Sequence, residues 1–207
     1  MSQFRALIPT VTERVARARA DLRMGAVVVL AGPSGGALAQ AAEGAVPERL
    51  EALRAAGPLD LALTRWRAET LKVRAYDGDL ARVAVPGDAD AGWVRAMADP
   101  SEDMAWPMKG PFLERRGGEA DLHRAAVRLA KQAHLLPAAL VAPVADPQAM
   151  AAELGLTLVT LEQMAQVEST LREVSSARVP LASAAKSRVR VFRPSDGGEE
   201  HYAVVVG

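Results

Sequence analysis

Short apolar runs alternate with segments of helical period along most of the chain. Continuous apolar runs at 26–31 (AVVVLA) and 138–144 (AALVAPV) indicate strands buried on both faces, and 59–64 (LDLALT) and 80–85 (LARVAV) also favour strands. Helices are predicted between these runs, at 47–56, 68–74 and 119–135 among others. This alternation predicts an α/β or α+β domain over residues 1–168, with the longest irregular stretch at 99–118.

Polar residues at fixed offsets predict where three helices start. Thr10-x-x-Glu13 and Thr160-x-x-Gln163 have the capping-box pattern, in which each side chain bonds the other residue's backbone N–H. Asp146-Pro147 combines a capping carboxylate with a first-turn proline, and Gly155 predicts the end of that helix.

The C-terminal residues predict a β-hairpin. Arg188 to Phe192 alternates arginine with β-branched or aromatic side chains, Asp196-Gly197-Gly198 favours a turn, and Tyr202 to Val206 favours a second strand. Residues 169–207 are therefore interpreted as a linker, beginning at Ser169, and a terminal β segment. A two-stranded hairpin is marginal alone, so we expect it to pack on something else.

Composition narrows the function classes. Half of the 207 residues are hydrophobic, and the 25 basic residues equal the 25 acidic ones, so no overall field favours nucleic acid or an anionic membrane. No long apolar run or signal peptide is visible, and a cytoplasmic location is expected. The absence of cysteine excludes a thiolate nucleophile, a disulfide and a cysteine-based zinc site from this sequence.

Two glycine-rich segments are candidates for binding phosphate through backbone N–H groups. GPSGG at 32–36 follows a predicted strand, and Arg115-Arg116-Gly117-Gly118 precedes a predicted helix. The first matches neither common nucleotide-binding glycine motif. A plain turn explains each segment as well, and Glu119 and Asp121 suit the start of a helix whatever their chemistry.

Other candidates are weaker. His123 and His134 are eleven residues apart on one predicted helix, which separates them by about 16 Å and prevents them from sharing a metal ion. The segment 106–112 (WPMKGPF) has the composition of a pocket or interface loop, or of a loop that closes over the core.

Several blocks, in order, resemble the GTP cyclohydrolase II family of riboflavin biosynthesis, in which a 3,4-dihydroxy-2-butanone 4-phosphate synthase-like domain precedes a cyclohydrolase module. These blocks are ERVARARADLRMGAVVVLA, RRGGEADLHRAAVRLAKQAHLLPAALVAPV, MAAELGLTLVTLEQM and the terminal SSARVPLASAAKSRVRVFRPSDGGEEHYAVVVG. The resemblance implies a synthase-like fold followed by the opening hairpin of the cyclohydrolase module, with a structural role for His201. Related proteins commonly dimerise through the synthase-like fold, so a homodimer is also implied.

Departures from the family pattern fall at its reactive positions. Active synthases resembling this chain carry a dense acidic run after their first strand that binds magnesium, whereas residues 32–37 here are GPSGGA. Glu119 stands where the family has a metal-binding histidine, while Arg116, Gly117 and Gly118 persist as a vestigial phosphate-binding segment. The cyclohydrolase zinc is held by cysteines that this sequence lacks. We therefore predict no catalytic residues, metal ligands or cofactor in this chain.

The leading hypothesis is a catalytically degenerate N-terminal domain that acts as a scaffold or dimerisation module, inactive alone and lacking its C-terminal cyclohydrolase module. One alternative is a residual magnesium-dependent synthase that acts on ribulose 5-phosphate through Arg116 and Glu119. Another is a regulatory module that binds a phosphate ligand. The sequence leaves open whether Gly207 is a natural terminus.

Overall fold

The computed structural model describes residues 4–207. Its helices are α1 (Val11–Arg23), α2 (Pro47–Ala56), α3 (Arg65–Thr70), α4 (Ala91–Ala98), α5 (Asp121–Gln132), α6 (Pro147–Leu154) and α7 (Leu161–Gln166). Its strands are β1 (Val28–Gly32), β2 (Gly35–Ala41), β3 (Asp60–Thr64), β4 (Leu80–Ala84), β5 (Ala138–Val144), β6 (Leu158–Thr160), β7 (Leu171–Arg178), β8 (Arg188–Pro194) and β9 (His201–Val205). Short 3-10 helices lie at Arg5–Leu7, Ala42–Gly44 and Pro100–Asp103. The predicted mixture of helices and strands is confirmed.

A six-stranded mixed sheet forms the centre of the larger compact unit, residues 17–164. Its strand order is β4-β3-β5-β2-β1-β6, and every neighbouring pair is antiparallel except β1 with β6. The first four residues of β1 are all buried, as its continuous apolar run predicts. The first four residues of β3 are also buried, although the first of them is Asp60. Helix α5 packs against β5, β2, β1 and β3, so its start is fixed relative to the ends of those strands.

The predicted helix caps are present. Thr10 N–H donates to the Glu13 carboxylate at 2.7 Å, and Glu13 N–H donates to Thr10 Oγ1 at 3.2 Å. Thr160 and Gln163 form the same reciprocal pair, both bonds at 3.1 Å. At α6, Asp146 accepts a hydrogen bond from Ala149 N–H. These helix starts are therefore encoded locally.

Two helix predictions need correction. Helix α3 starts at Arg65 rather than at residue 68, because Thr64 caps it by accepting a hydrogen bond from Arg67 N–H. Helix α4 was missed altogether. Asp90 caps it through Trp93 N–H at 2.7 Å, and its buried residues include Val94 and Met97, which pack into the main core.

Of the described residues, 4–16 and 165–207 form the second compact unit. The predicted hairpin is confirmed as β8 and β9, which pair antiparallel, and a third strand, β7, pairs antiparallel with β8. Strand β7 was missed because its sequence, LREVSSAR, is largely polar and gains its extended conformation from pairing with β8. Within residues 4–207, no helix has both the length and the apolar character needed to cross a bilayer.

Candidate functional site

A cavity of about 280 Å³ opens where the β1–β2 turn meets the start of α5. Its walls are mostly apolar, and they include Leu122, Val141 and Pro143. The polar groups lining it come from the GPSGG turn and from Asp60, Arg115, Glu119, Asp121 and His123. The structure thus brings together segments that the sequence analysis selected separately.

Asp60 is the polar centre of this cavity. It begins β3, is 8% exposed, and its Oδ1 accepts a hydrogen bond from Arg115 Nε at 2.7 Å. Its Oδ2 lies 3.4 Å from His123 Nε2. Burial alone would raise the pKa of Asp60, but the hydrogen bonds from His123 and Arg115 outweigh it, so the pKa lies below its ordinary value. Asp60 is therefore a carboxylate with both oxygens next to nitrogen partners.

Sequence reasoning missed Asp60 as a site residue. It is the second residue of LDLALT, which was predicted as a strand without separate attention to the charge of Asp60. A carboxylate inside an otherwise apolar run was the available signal, because a buried charge requires a partner. Its partner Arg115 lies 55 residues away, so only the folded chain identifies the pair.

The GPSGG turn has a steric reason for at least one glycine. A Cβ on Gly36 would lie 2.4 Å from Pro147 Cβ, so the first turn of α6 can approach β2 only where no side chain intervenes. Gly35 has φ +128°, a conformation that other residues rarely adopt. Both glycines are explained by packing and backbone geometry, which favours the plain-turn interpretation over a phosphate site.

The predicted phosphate-binding residues Arg116, Gly117 and Gly118 lie on the loop before α5, and none of the three lines the cavity. The Arg116 guanidinium lies over the Tyr76 ring at 4.8 Å from its centroid. Gly117 and Gly118 have φ of 72° and 73°, and the Gly117 carbonyl accepts a hydrogen bond from Arg82. Their phosphate-binding role stays a prediction.

The cavity does not fit magnesium. Both oxygens of Asp60 already face nitrogen partners, and Asp121 accepts a hydrogen bond from Arg124 at 3.0 Å. Among residues 4–207, no group of three histidine or acidic side chains has the arrangement needed to hold a metal ion. Magnesium requires near-octahedral oxygen ligation, with one or two carboxylates available to it. No chemical step through a metal follows from these residues.

The remaining candidates take other positions. His123 lies in α5, but that helix ends at Gln132, and His134 follows it with φ 61°, so the prediction of one helix carrying both histidines was wrong. In the 106–112 segment, Lys109 is buried beside Asp103, and its carbonyl accepts a hydrogen bond from Trp93 Nε1 at 3.0 Å. That segment is thereby held against α4, and part of it, including Pro107 and Met108, lines a surface pocket, so both interpretations of the segment stay open.

Comparison with solved structures shows the fold. The chain matches a two-domain 3,4-dihydroxy-2-butanone 4-phosphate synthase from A. baumannii with a TM-score of 0.58 and 18% identity, over 94% of this chain and 70% of that one. It also matches a 3,4-dihydroxy-2-butanone 4-phosphate synthase from Candida albicans with a TM-score of 0.56 and 19% identity, over 73% of this chain and 95% of that one. By fold, therefore, the chain is a 3,4-dihydroxy-2-butanone 4-phosphate synthase-like protein.

Comparison of the sequence with characterised proteins finds a relative. The chain is 37% identical over 205 residues to the GTP cyclohydrolase-2 of Azospirillum brasilense, an alignment that covers 93% of this chain and 53% of that protein. It thus spans about half the length of this relative. No protein family's sequence profile matches the chain. The resemblance to GTP cyclohydrolase II that the sequence blocks indicated is confirmed by this relative.

Proposed function

We propose that this chain is a catalytically degenerate synthase-like module of a GTP cyclohydrolase II-type protein, and that it serves as a scaffold or dimerisation module. One observation carries the proposal: the β1–β2 turn that lines the cavity contains no carboxylate. Residues 32–37 supply glycine, proline, serine and alanine, and Asp60 is engaged by Arg115. Residues 32–37, which stand where active synthases have their magnesium-binding acidic run, therefore form a turn without charged side chains.

The packing around the turn supports this proposal. Gly36 leaves no room for a Cβ beside Pro147, so replacing it with a carboxylate would require α6 to move. Substituting acidic residues into this loop would therefore not be enough to create an acidic site. A turn that packs this closely against α6 suits a structural role.

The C-terminal sheet supports the proposed context. Strand β9 is exposed at all five positions, including Tyr202 at 68% and Val204 at 62%. A sheet with exposed apolar side chains gains stability when another layer covers it. A following cyclohydrolase module is the covering layer that we propose.

An activity assay tests the degenerate site. The purified chain is incubated with ribulose 5-phosphate and magnesium, and formate release is followed by a coupled assay, with an active synthase as positive control. We expect no release above the protein-free rate. Formate production that disappears in a Glu119→Gln variant would instead establish the residual synthase.

Light scattering tests the dimerisation role separately. At micromolar concentration the chain is expected to have the mass of a dimer, about twice the 21.9 kDa of the chain. A monomer at that concentration would remove dimerisation from the proposal. It would leave the assignment of a degenerate site unaffected, because the assay above depends on the cavity alone.

A further inference from the structure

A second concave surface lies between α3 and α5 and differs in charge from the cavity. It is a groove of about 810 Å³ lined by Thr64, Arg65, Trp66, Glu69, Gly78, Asp79, Leu80, Arg124, Val127, Arg128, Lys131 and Gln132. This volume falls in the range of small-molecule sites, about 300–1,000 Å³. None of the residues that line this groove also lines the cavity or belongs to the predicted phosphate-binding segment.

The two carboxylates of the groove are already neutralised. Arg65 Nε lies 2.7 Å from a Glu69 carboxylate oxygen, one helical turn along α3. Arg124 Nε lies 2.9 Å from Asp79 Oδ1. Arg124 also contacts Asp121, which lies outside the groove lining. Among the lining residues the two pairs cancel, so the net charge of the lining is decided by its remaining basic side chains.

Arg128 and Lys131 are those remaining side chains. Both are exposed, and neither has an acidic partner among residues 4–207. They are three residues apart on α5, a spacing that places them side by side on the helix surface. Two adjacent uncompensated cations favour an anionic group that accepts hydrogen bonds from both.

Trp66 supplies the second element of recognition. Its side chain is 80% exposed although the indole ring is among the largest apolar surfaces a residue can bury. It shares the groove with the buried residues Leu80 and Val127, which give the groove an apolar floor. An exposed tryptophan beside free cations offers a flat ring on which a base can stack.

We propose that this groove binds a nucleoside phosphate, with the base stacked on Trp66 and the phosphates held by Arg128 and Lys131. A free phosphate would leave the tryptophan without a role, and an acidic peptide would not need a flat aromatic surface. The inference goes beyond the scaffold role and does not depend on it, because no cavity residue takes part.

Isothermal titration of the full chain with ATP and with GTP at low salt tests the proposal. Binding is expected, and Trp66→Ala and the double variant Arg128→Glu/Lys131→Glu are each expected to weaken it by about tenfold or more. Added NaCl should weaken binding to the wild-type chain. The matched double variant Arg172→Glu/Lys186→Glu changes the same charges at exposed positions outside the groove and should bind as the wild type does.

Ligand fragments separate the two contacts. Ribose 5-phosphate, which lacks the base, and adenosine and guanosine, which lack the phosphate, should each bind more weakly than the nucleotides. Equal binding of ribose 5-phosphate would overturn the stacking on Trp66. Absence of nucleotide binding at about 1 mM, or unchanged binding by both groove variants, would overturn the whole proposal.

Folding and assembly are controlled in the same experiment. Thermal melts check each variant, and Trp66→Leu, which keeps an apolar side chain without a flat ring, and Arg128→Gln/Lys131→Gln replace any variant that fails to fold. Light scattering of Trp66→Ala without ligand distinguishes a protein contact from a ligand site. A change from dimer to monomer would show that Trp66 lies between copies of the chain, and this would overturn nucleotide binding at the groove.

Discussion

The two sheets of this protein differ in how their side chains are covered. In the six-stranded sheet, five of the seven residues of β5 are buried, and Leu140 has no exposed surface. In the three-stranded sheet, all eight residues of β7 and all five of β9 are exposed. The first sheet is stabilised by apolar burial, and the second depends mainly on strand pairing and on a few cross-strand side chains. A segment of this chain can therefore form a paired strand without burying its side chains in a core.

Ion pairs in the two units show the same contrast. Arg67 has a side chain only 6% exposed, binds Asp103 through both terminal nitrogens, and donates from Nε to the Met97 carbonyl. Arg190 is paired with Glu173 across β7 and β8, where both side chains are much more exposed. When one partner of a buried pair is removed, the other charge is left buried and uncompensated, whereas in an exposed pair water solvates the remaining charge.

Arg67→Ala should have the largest effect. Loss of the guanidinium removes two hydrogen bonds from Asp103, which keeps Lys109 as a partner, and takes a donor from the Ala96 and Met97 carbonyls of α4. The free energy of unfolding should fall by about 3–5 kcal/mol. Urea denaturation measures the change. Arg65→Ala, on the same helix but in an exposed pair with Glu69, is the matched control and should change stability by less than about 1 kcal/mol. Similar losses for the two variants would contradict the argument from burial.

Leu140→Ala tests the contrast between the sheets directly. Truncating this fully buried side chain in β5 should lower the free energy of unfolding by about 2–5 kcal/mol, since it leaves a cavity in the core. Val204→Ala in β9 removes apolar atoms that are already 62% exposed and should cost about 0.5 kcal/mol or less. A large loss at Val204 would show that the second sheet is covered in solution, as a dimer measured at the same concentration would explain.

Asp60→Asn should alter the acid limb of the stability curve. The pKa of Asp60 is lower in the folded chain than the ordinary value of 3.8. Its stabilising contribution is therefore fully present above the pKa of the unfolded chain, and it is lost as the pH falls through the lower pKa of the folded chain. The variant should be less stable near neutrality and should lose less stability in acid. Denaturation curves between about pH 6 and pH 2 measure both effects. Parallel pH profiles for the two proteins would exclude Asp60 as a source of the acid dependence.

Glu173→Gln should have the smallest effect. The hydrogen bond from Arg190 lowers the pKa of Glu173, but the pair is exposed and solvent screens it. The unfolding midpoint should stay within experimental error of the wild type. A clear shift would indicate that this face of β7 and β8 is covered by another protein surface.

Much of the fold follows from local sequence signals. The caps at Thr10, Asp146 and Thr160 need only side chains within three residues of the backbone N–H they bind, and the buried runs of β1 and β5 need only continuous apolar residues. Helix α4 was missed although the sequence signals it, with Asp90 as a capping residue and Val94 and Met97 following at helical spacing. By contrast, the polar sequence of β7 hid a strand that requires β8 as its partner.

The candidate sites divide in the same way. Residues 32–36 and the start of α5 were recognisable from glycine and charge patterns, and the departure from an acidic loop was visible in the sequence alone. The bond between Asp60 and Arg115 joins residues 55 positions apart, and the groove at Trp66 exists only because α3 and α5 lie side by side. The sequence by itself determined the helix caps and the apolar strands, because each depends on neighbours along the chain. Only the tertiary structure decided which charges are paired and which remain free, because pairing depends on contacts between distant segments.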